Sequence, residues 1–145
     1  FNGVLFIPHM DNMTSAKRSA QMALVHSRNT KPELLVRRIV TAMGYRYRLH
    51  GRKLPGKPDL VFGPKKKVIF VNGCFWHGHK CSLGRIPKTR VLFWTNKIFM
   101  NSARDKKNIR ALARRGWKPL VLWECDLKKK TKRGQMLHKI ELFLK

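Results

Sequence analysis

The sequence predicts an α/β fold in which helices flank a small central mixed sheet. Short apolar runs of strand length occupy residues 59–62, 67–71 and 118–123, and longer stretches with helical apolar spacing precede, separate and follow them. A chain of 145 residues has the length of one domain, and its 43% hydrophobic residues can build one core. Helices packed against a mixed sheet are therefore the expected architecture.

Two helices are expected first. The basic stretch of residues 14–27 has apolar side chains available for packing, among them Met22. Thr30 and Glu33 have the spacing of a capping box, with a proline between them in the first turn. The second helix should therefore begin after Thr30 and run to Met43.

Three strands and a loop should follow. Residues 45–50 alternate aromatic or aliphatic side chains with basic ones, which is typical of a strand. Residues 51–58 contain two prolines and two glycines and predict a loop. The strands at 59–62 and 67–71 are joined by the turn-forming residues 63–66.

A long helix, a strand and a terminal helix complete the chain. The long helix should cover residues 91–115, the strand 118–123 and the last helix 135–144. One apolar stripe of the long helix would contain Trp94, Ile98, Asp105, Ile109 and Leu112.

The charge of the chain is its strongest bulk property. Lys and Arg number 33 against 7 Asp and Glu, a formal net charge of +26. Such a surface indicates a polyanionic partner, with nucleic acid favoured over an anionic membrane. No apolar run approaches the roughly 18 residues of a membrane-spanning helix, and neither a lipidation motif nor a secretion signal is present.

The domain boundaries and the cellular compartment follow from these features. Residues 1–13 are treated as an uncertain leader or an added extension, and residues 14–145 as a single domain. Three cysteines without a secretion signal indicate reduced thiols and an intracellular location, in the cytoplasm or on the nucleoid.

The loop after residues 67–71 carries a pattern of metal ligands. Cys74, His79 and Cys81 lie within eight residues, and Cys125 follows a later strand. A Cys₃His set is typical of tetrahedral structural zinc, whereas the alternative is a loop with incidental thiols. His77 lies between the ligands and would remain free.

The few carboxylates identify a second candidate site. Asp59 opens a strand, where it suits Mg²⁺ with its preference for hard oxygen ligands, although Pro-Asp can also simply begin a strand. Asp105 lies on the inward stripe of a basic helix and needs a partner, either an Arg or Lys or a histidine held in one tautomer. Glu33 could be no more than the cap of its helix.

Several blocks together resemble the very-short-patch repair (Vsr) endonucleases of the PD-(D/E)xK nuclease superfamily. The resemblance covers residues 14–127 and rests on Leu-Pro-Gly-Lys-Pro-Asp at 54–59, Asn-Gly-Cys-Phe-Trp-His at 72–77, Phe-Trp at 93–94, Arg-Asp at 104–105 and Trp-Glu-Cys at 123–125. It implies a restriction-endonuclease-like core and an enzyme that nicks DNA beside a T·G mismatch.

The resemblance also implies roles for individual residues. Asp59 corresponds to the Mg²⁺ ligand, and the backbone carbonyl of Val71 to a second ligand. His77 corresponds to the general base that activates water, Asp105 to its orienting partner, and Glu33 to a further acid of the active site.

The zinc ligands and the DNA-contacting residues are implied in the same way. The structural zinc ligands would be Cys74, His79, Cys81 and Cys125. The aromatic residues that wedge into the duplex would be Phe75, Trp76 and Trp94, with Met22 entering from the other groove. The alternative role for each aromatic residue is core packing, which is expected for Trp117 and Trp123. Phe75 and Trp76 lie on a polar loop and are the better candidates for wedging into DNA.

The chain departs from the family pattern at Asn72, a catalytic-site position that is histidine in the best-known members. Asn can orient water or phosphate but cannot titrate near neutral pH. Activity is expected to survive if His77 is the base, and to be weakened if histidine at this position is essential.

The expected function is Mg²⁺-dependent nicking of one strand of double-stranded DNA at T·G mismatches, by a monomer with a structural zinc. Two alternatives use the same fold: a homing or mobile-element endonuclease that recognises a site, and a zinc-stabilised DNA-binding module whose nuclease centre has decayed. An RNA-binding protein is a third, but no RNA-binding signature is present.

Overall fold

The computed structural model describes residues 14–17 and 28–145. The helices are α1 (Lys31–Ala42), α2 (Val91–Arg114), α3 (Glu124–Lys128) and α4 (Lys130–Leu144), with a 3₁₀ turn at Ser82–Gly84. The strands are β1 (Arg48–Leu49), β2 (Leu60–Phe62), β3 (Lys67–Asn72) and β4 (Lys118–Trp123). Within the described residues, no helix is long and apolar enough to cross a membrane.

The four strands form one mixed sheet in the order β1-β2-β3-β4. The β1–β2 and β2–β3 pairs are antiparallel, and the second of them aligns Leu60 with Ile69. β3 and β4 are parallel, with Asn72 opposite Trp123. The α/β class and the mixed sheet predicted from the sequence are therefore confirmed.

The two faces of the sheet are covered by different helices because side chains alternate along each strand. Leu60 and Ile69 face the larger core, which α1 and α4 complete with Val36 and Ile140. Val61 and Val68 point to the opposite face and pack against Leu112 of α2. The sheet thus lies between two helical layers.

The start of α1 follows the predicted capping box. The Glu33 backbone N–H donates to Thr30 Oγ1 at 3.4 Å. The Glu33 carboxylate reaches back and accepts from the backbone N–H of Asn29 at 2.9 Å. These contacts satisfy donors that a helix start otherwise leaves unpaired.

The structure differs from the expected elements in three places. The strand expected at 45–50 is limited to Arg48–Leu49. Helix α3 was not predicted, and α4 begins at Lys130 rather than residue 135. The lysines before residue 135 are good helix formers, so the basic tail joins the helix. Residues 15–17 are helical, but the remainder of the first predicted helix, including Met22, lies outside the described residues.

Candidate active site and metal centre

The candidate site lies at one edge of the sheet. Because β3 and β4 are parallel, their carboxyl ends, at Asn72 and Trp123, meet at the same edge. The Cys-rich loop leaves β3 at this edge, and Cys125 follows β4 within the first turn of α3. Strand topology therefore brings residues about 50 positions apart in the sequence into one centre.

The predicted zinc ligands come together there. Cys74, His79, Cys81 and Cys125 each offer a ligand atom, and these atoms all lie within 4.8 Å of one another. Cys125 Sγ is 3.5 Å from His79 Nδ1, and the His79 ring stacks on Trp123 at 4.3 Å between ring centroids. Trp123, expected to be a core residue, is partly buried and supports a candidate ligand instead.

Close packing of the loop requires a glycine at position 84. A Cβ atom there would lie only 1.9 Å from the backbone oxygen of His79 and 3.2 Å from that of Cys74. The loop therefore closes around the candidate ligands only if residue 84 has no side chain.

The thiols show why this cluster suits a cation. Burial raises the pKa values of Cys74 and Cys125. Burial acts in the same direction on Cys81, but hydrogen bonding to His79 and to the backbone of Gly84 lowers its pKa to about 7. Three neighbouring thiolates repel one another, and a bound divalent ion would remove that cost. The donor set and its enclosure fit zinc, the metal expected for Cys₃His.

Asp59 directly precedes β2, at the same edge of the sheet as the carboxyl end of β3. Its Oδ2 accepts a 2.7 Å hydrogen bond from the backbone N–H of Val71. Burial raises the pKa of Asp59 to about 6, and nearby Glu33 acts in the same direction, whereas the Val71 hydrogen bond opposes both. A carboxylate whose ionisation is disfavoured by burial would gain from a cation.

Glu33 is more than an exposed cap. It is only 3% exposed and forms an ion pair with Arg37 at 3.2 Å. One ligand atom from each of Glu33, His50 and Asp59 lies within 4.8 Å of the others. Sequence reasoning missed His50, because it ends an alternating basic run and belongs to no recognised motif.

His77 and Asp105 are in direct side-chain contact. His77 Nδ1 and Asp105 Oδ2 are 2.5 Å apart, and both side chains are more than one quarter exposed. Between the two partners considered for Asp105, the structure selects the histidine. The charge of His77 also reaches Asp59, whose pKa it lowers.

Val71 and Asn72 end β3 at this edge of the sheet. Both side chains are partly buried. Asn72 is aligned with Trp123 of the neighbouring strand, and the Val71 backbone contacts Asp59 through its N–H group. The position of Asn72 is thus at the same sheet edge as the other site residues.

The aromatic residues expected to wedge into DNA are more buried than that expectation required. Phe75 and Trp94 are each 2% exposed and meet edge to face at 5.3 Å between centroids. Trp76 is partly buried, and its backbone oxygen accepts from Asn101 Nδ2 at 3.0 Å. Phe75 therefore lies beneath the loop surface. Phe93, named only within the family motif, is 43% exposed with the Arg90 guanidinium 4.3 Å from its ring centre.

Comparisons with known proteins agree with the geometry. A family model described as "DNA mismatch endonuclease Vsr" matches residues 10–83. The chain is 47% identical to "Type II nicking enzyme V.XorIIP" of Xanthomonas oryzae pv. oryzae over 81% of its own length and 86% of that protein. It is 47% identical to "Type II nicking enzyme V.NmeAIP" of Neisseria meningitidis serogroup A over 83% and 86%, respectively. It is 40% identical to "DNA mismatch endonuclease Vsr" of Escherichia coli over 81% of this chain and 75% of that protein.

Proposed function

Because the chain belongs to the Vsr family and is an endonuclease that acts on DNA, we propose that it nicks one strand of duplex DNA at T·G mismatches, in very-short-patch repair. The observation that carries this proposal is the contact between His77 and Asp105 near the partly buried carboxylate of Asp59. A base and a candidate metal ligand at one accessible edge are the parts that phosphodiester hydrolysis requires.

His77 is the proposed general base. When Nδ1 carries the proton and donates a hydrogen bond to Asp105, the other ring nitrogen has a free lone pair that can accept a proton from water. Asp105 holds the ring in this tautomer and stabilises the positive charge that His77 acquires. The water, once deprotonated, attacks the phosphorus atom of the scissile phosphate, the bond from phosphorus to the leaving sugar oxygen breaks, and that oxygen takes up a proton from water.

The remaining polar residues hold the phosphate and its counter-charge. Asp59 and the backbone carbonyl of Val71 are the proposed ligands of Mg²⁺, which when bound would neutralise charge on the phosphate oxygens. Glu33 is a further acid of the site. Asn72 can hold water or phosphate by hydrogen bonds but takes no part in proton transfer near neutral pH.

The Cys₃His cluster has a structural role in this proposal. Four protein ligands would fill a tetrahedral zinc shell, so no position remains for a substrate. Zinc there would tie the loop that carries His77 to the start of α3. We further propose a restriction-endonuclease-like core, with residues 14–145 as one endonuclease domain that acts as a monomer.

In this proposal, the aromatic cluster of Phe75, Trp76 and Trp94 selects mismatched DNA. Trp76 is its partly exposed member, with Phe75 and Trp94 packed behind it at 5.1 and 6.1 Å between ring centroids. Opening a base step costs on the order of a few kcal/mol, and a mismatched step costs least. A supported indole can therefore favour mispaired DNA without reading many base edges. Met22 is proposed to enter from the opposite groove.

The proposal is tested on two duplexes of the same sequence, one matched and one with a single T·G pair. With Mg²⁺ present, we expect one nick in the mismatched duplex and at least about tenfold slower cleavage of the matched control. His77→Gln should abolish nicking, whereas His138→Gln, at an exposed position of α4, should not.

Two other results of this experiment would favour the alternative functions. Equal cleavage of both duplexes would remove mismatch selection and favour a site-specific endonuclease. Absence of cleavage by a protein that still binds duplex DNA would indicate a decayed nuclease centre.

A further inference from the structure

We propose that His50 is a third protein ligand of the catalytic divalent ion, which makes this site better suited to Mn²⁺ than an all-oxygen Mg²⁺ site would be. The inference rests on the proposed nuclease function, because it concerns the ion held by Asp59. It concerns a residue outside the blocks that carry the family resemblance.

The first argument is the position of the imidazole. One ring nitrogen of His50 lies within 4.8 Å of a carboxylate oxygen of both Asp59 and Glu33. Two ligand atoms on opposite sides of an ion at about 2.2 Å are about 4.4 Å apart, so these three atoms can share one ion after side-chain shifts of a few tenths of an ångström. The cluster is separate from the Cys₃His set.

The second argument is that the His50 ring has no hydrogen-bond partner among the residues that the structure describes. The only hydrogen bond of His50 to residues 14–17 and 28–145 is made by its backbone N–H, which donates to the Asp59 carbonyl at 3.1 Å. The side chain is partly buried. A partly buried imidazole that makes no hydrogen bond in this part of the chain retains a free acceptor for a cation.

The carboxylates of Glu33 and Asp59 differ in how many hydrogen bonds they already accept. Both Glu33 oxygens accept hydrogen bonds, Oε1 from the Thr30 hydroxyl at 3.2 Å and Oε2 from Asn29 N and Arg37 Nη2. Among the described residues, the Asp59 carboxylate accepts one hydrogen bond, at Oδ2 from the Val71 N–H. Asp59 and His50 are therefore the two residues with more free capacity to bind the ion. Glu33, whose charge is already neutralised by Arg37, lies at the periphery of the ion site.

The backbone at His50 supports a specific role for this residue. Its φ angle is +50°, in the left-handed region that non-glycine residues rarely adopt. Non-glycine residues held in that region are strained and cluster at functional sites. The left-handed turn ends the alternating strand and accompanies the bond to the Asp59 backbone.

The chemistry of the donor set decides which ion is favoured. Mg²⁺ strongly prefers oxygen ligands and octahedral geometry, whereas imidazole is a good ligand for first-row transition ions. A nitrogen donor beside Asp59 should thus raise the affinity for Mn²⁺ relative to Mg²⁺. We expect the ratio of the two dissociation constants to change by about tenfold or more when His50 is removed.

Mn²⁺ provides a direct test that does not depend on cleavage. The zinc-loaded protein is titrated with Mn²⁺, and pulsed electron paramagnetic resonance measures electron–nuclear coupling from directly bound nitrogen. The parent should show coupling from one histidine, and this signal should change when the protein is labelled with ¹⁵N-histidine. His50→Asn, which suits a left-handed backbone, should lose the nitrogen signal and bind Mn²⁺ at least about tenfold more weakly.

Two further variants separate the possible failures. His77→Gln should keep the nitrogen signal, whereas Asp59→Asn should abolish Mn²⁺ binding. If the parent binds Mn²⁺ without a nitrogen signal, or if His50→Asn retains it, His50 is not a ligand even though the Asp59 site stands. If the parent binds no Mn²⁺ or Mg²⁺, the metal-dependent function itself is wrong. The ¹⁵N comparison needs no substitution, so a misfolded variant cannot obscure the result.

Discussion

At the scale of single residues, the central feature is the His77–Asp105 contact. The sequence predicted that Asp105 needs a partner, because it lies on the inward stripe of α2. It could not select between a basic residue and a histidine, since that choice depends on where the loop after β3 folds back onto the helix. The distance of 2.5 Å between Nδ1 and Oδ2 resolves it.

Replacing Asp105 tests the orienting role. Asp105→Asn preserves shape but removes the negative charge that stabilises a protonated His77, so the nicking rate should fall by about 100-fold or more. Single-turnover cleavage with excess enzyme measures the nicking rate. Glu141→Gln, which changes an exposed side chain on α4, is the control. An unchanged rate at position 105 would show that His77 does not need this carboxylate.

Asp59 should be unfavourable for folding in the absence of divalent ions. Its pKa is raised from 3.8 to about 6, so the carboxyl contributes stability that is complete below pH 3.8 and is lost as the pH rises through 6. Asn at this position still accepts from the Val71 N–H. Asp59→Asn should therefore raise the free energy of unfolding by roughly 1–3 kcal/mol at pH 8 and by much less near pH 4.

Chemical denaturation at the two pH values, in a chelating buffer that leaves the zinc bound, measures this effect. Glu141→Gln should show no gain at pH 8, because the pKa of the exposed Glu141 is lowered by Lys145 rather than raised. A less stable Asp59→Asn protein at pH 8 would show that this carboxylate is well accommodated when ionised.

At the scale of elements, the strands and long helices were predictable and the short ones were not. Residues 118–123 and 91–114 have strong apolar patterns, and both elements occur close to the predicted bounds. Helix α3 has only five residues, too few for a periodic signal. The burial of Phe75 also could not be read from a polar loop, because it depends on Trp94 and Ile98 of α2 packing above it.

Adding a single methyl group at Gly84 should disturb the loop that carries Cys74, His79 and Cys81. Gly84→Ala places a Cβ atom 1.9 Å from the His79 backbone oxygen, so the loop must shift and zinc retention should fall. Gly134→Ala is the matched control, because nothing lies within 4 Å of its added Cβ and the residue is inside α4. This control should stabilise the protein by about 0.5–1 kcal/mol. Equal zinc content and melting temperature in both variants would contradict the packing.

The metal content of the Cys₃His cluster is a separate expectation. One set of four ligands predicts about one zinc per purified chain, measurable by elemental mass spectrometry. Cys81→Ser should reduce that content and lower the melting temperature, whereas Ser82→Ala, an exposed neighbour, should alter neither. A fully folded parent protein without zinc would show that the cluster does not need a metal.

At the scale of the whole molecule, charge and topology act together. The net charge of +26 predicted a polyanionic partner from composition alone, and membership of a DNA endonuclease family agrees with it. The convergence of residues from α1, the segment before β2, the loop after β3 and α2 depends on sheet order, which composition cannot give. The blocks that resemble the family supplied most site residues, whereas His50 became visible only through its spatial neighbours.

The most direct test asks whether Asp59 and His77 act on the same phosphate. Single-turnover nicking of a T·G duplex is measured for the parent, Asp59→Asn, His77→Gln and the double variant. Groups that work as one catalytic unit are strongly non-additive, so each single variant should lose about 100-fold or more and the double variant should be no slower than the worse single one. Losses that multiply, or a single variant that nicks at the parent rate, would contradict one shared active site.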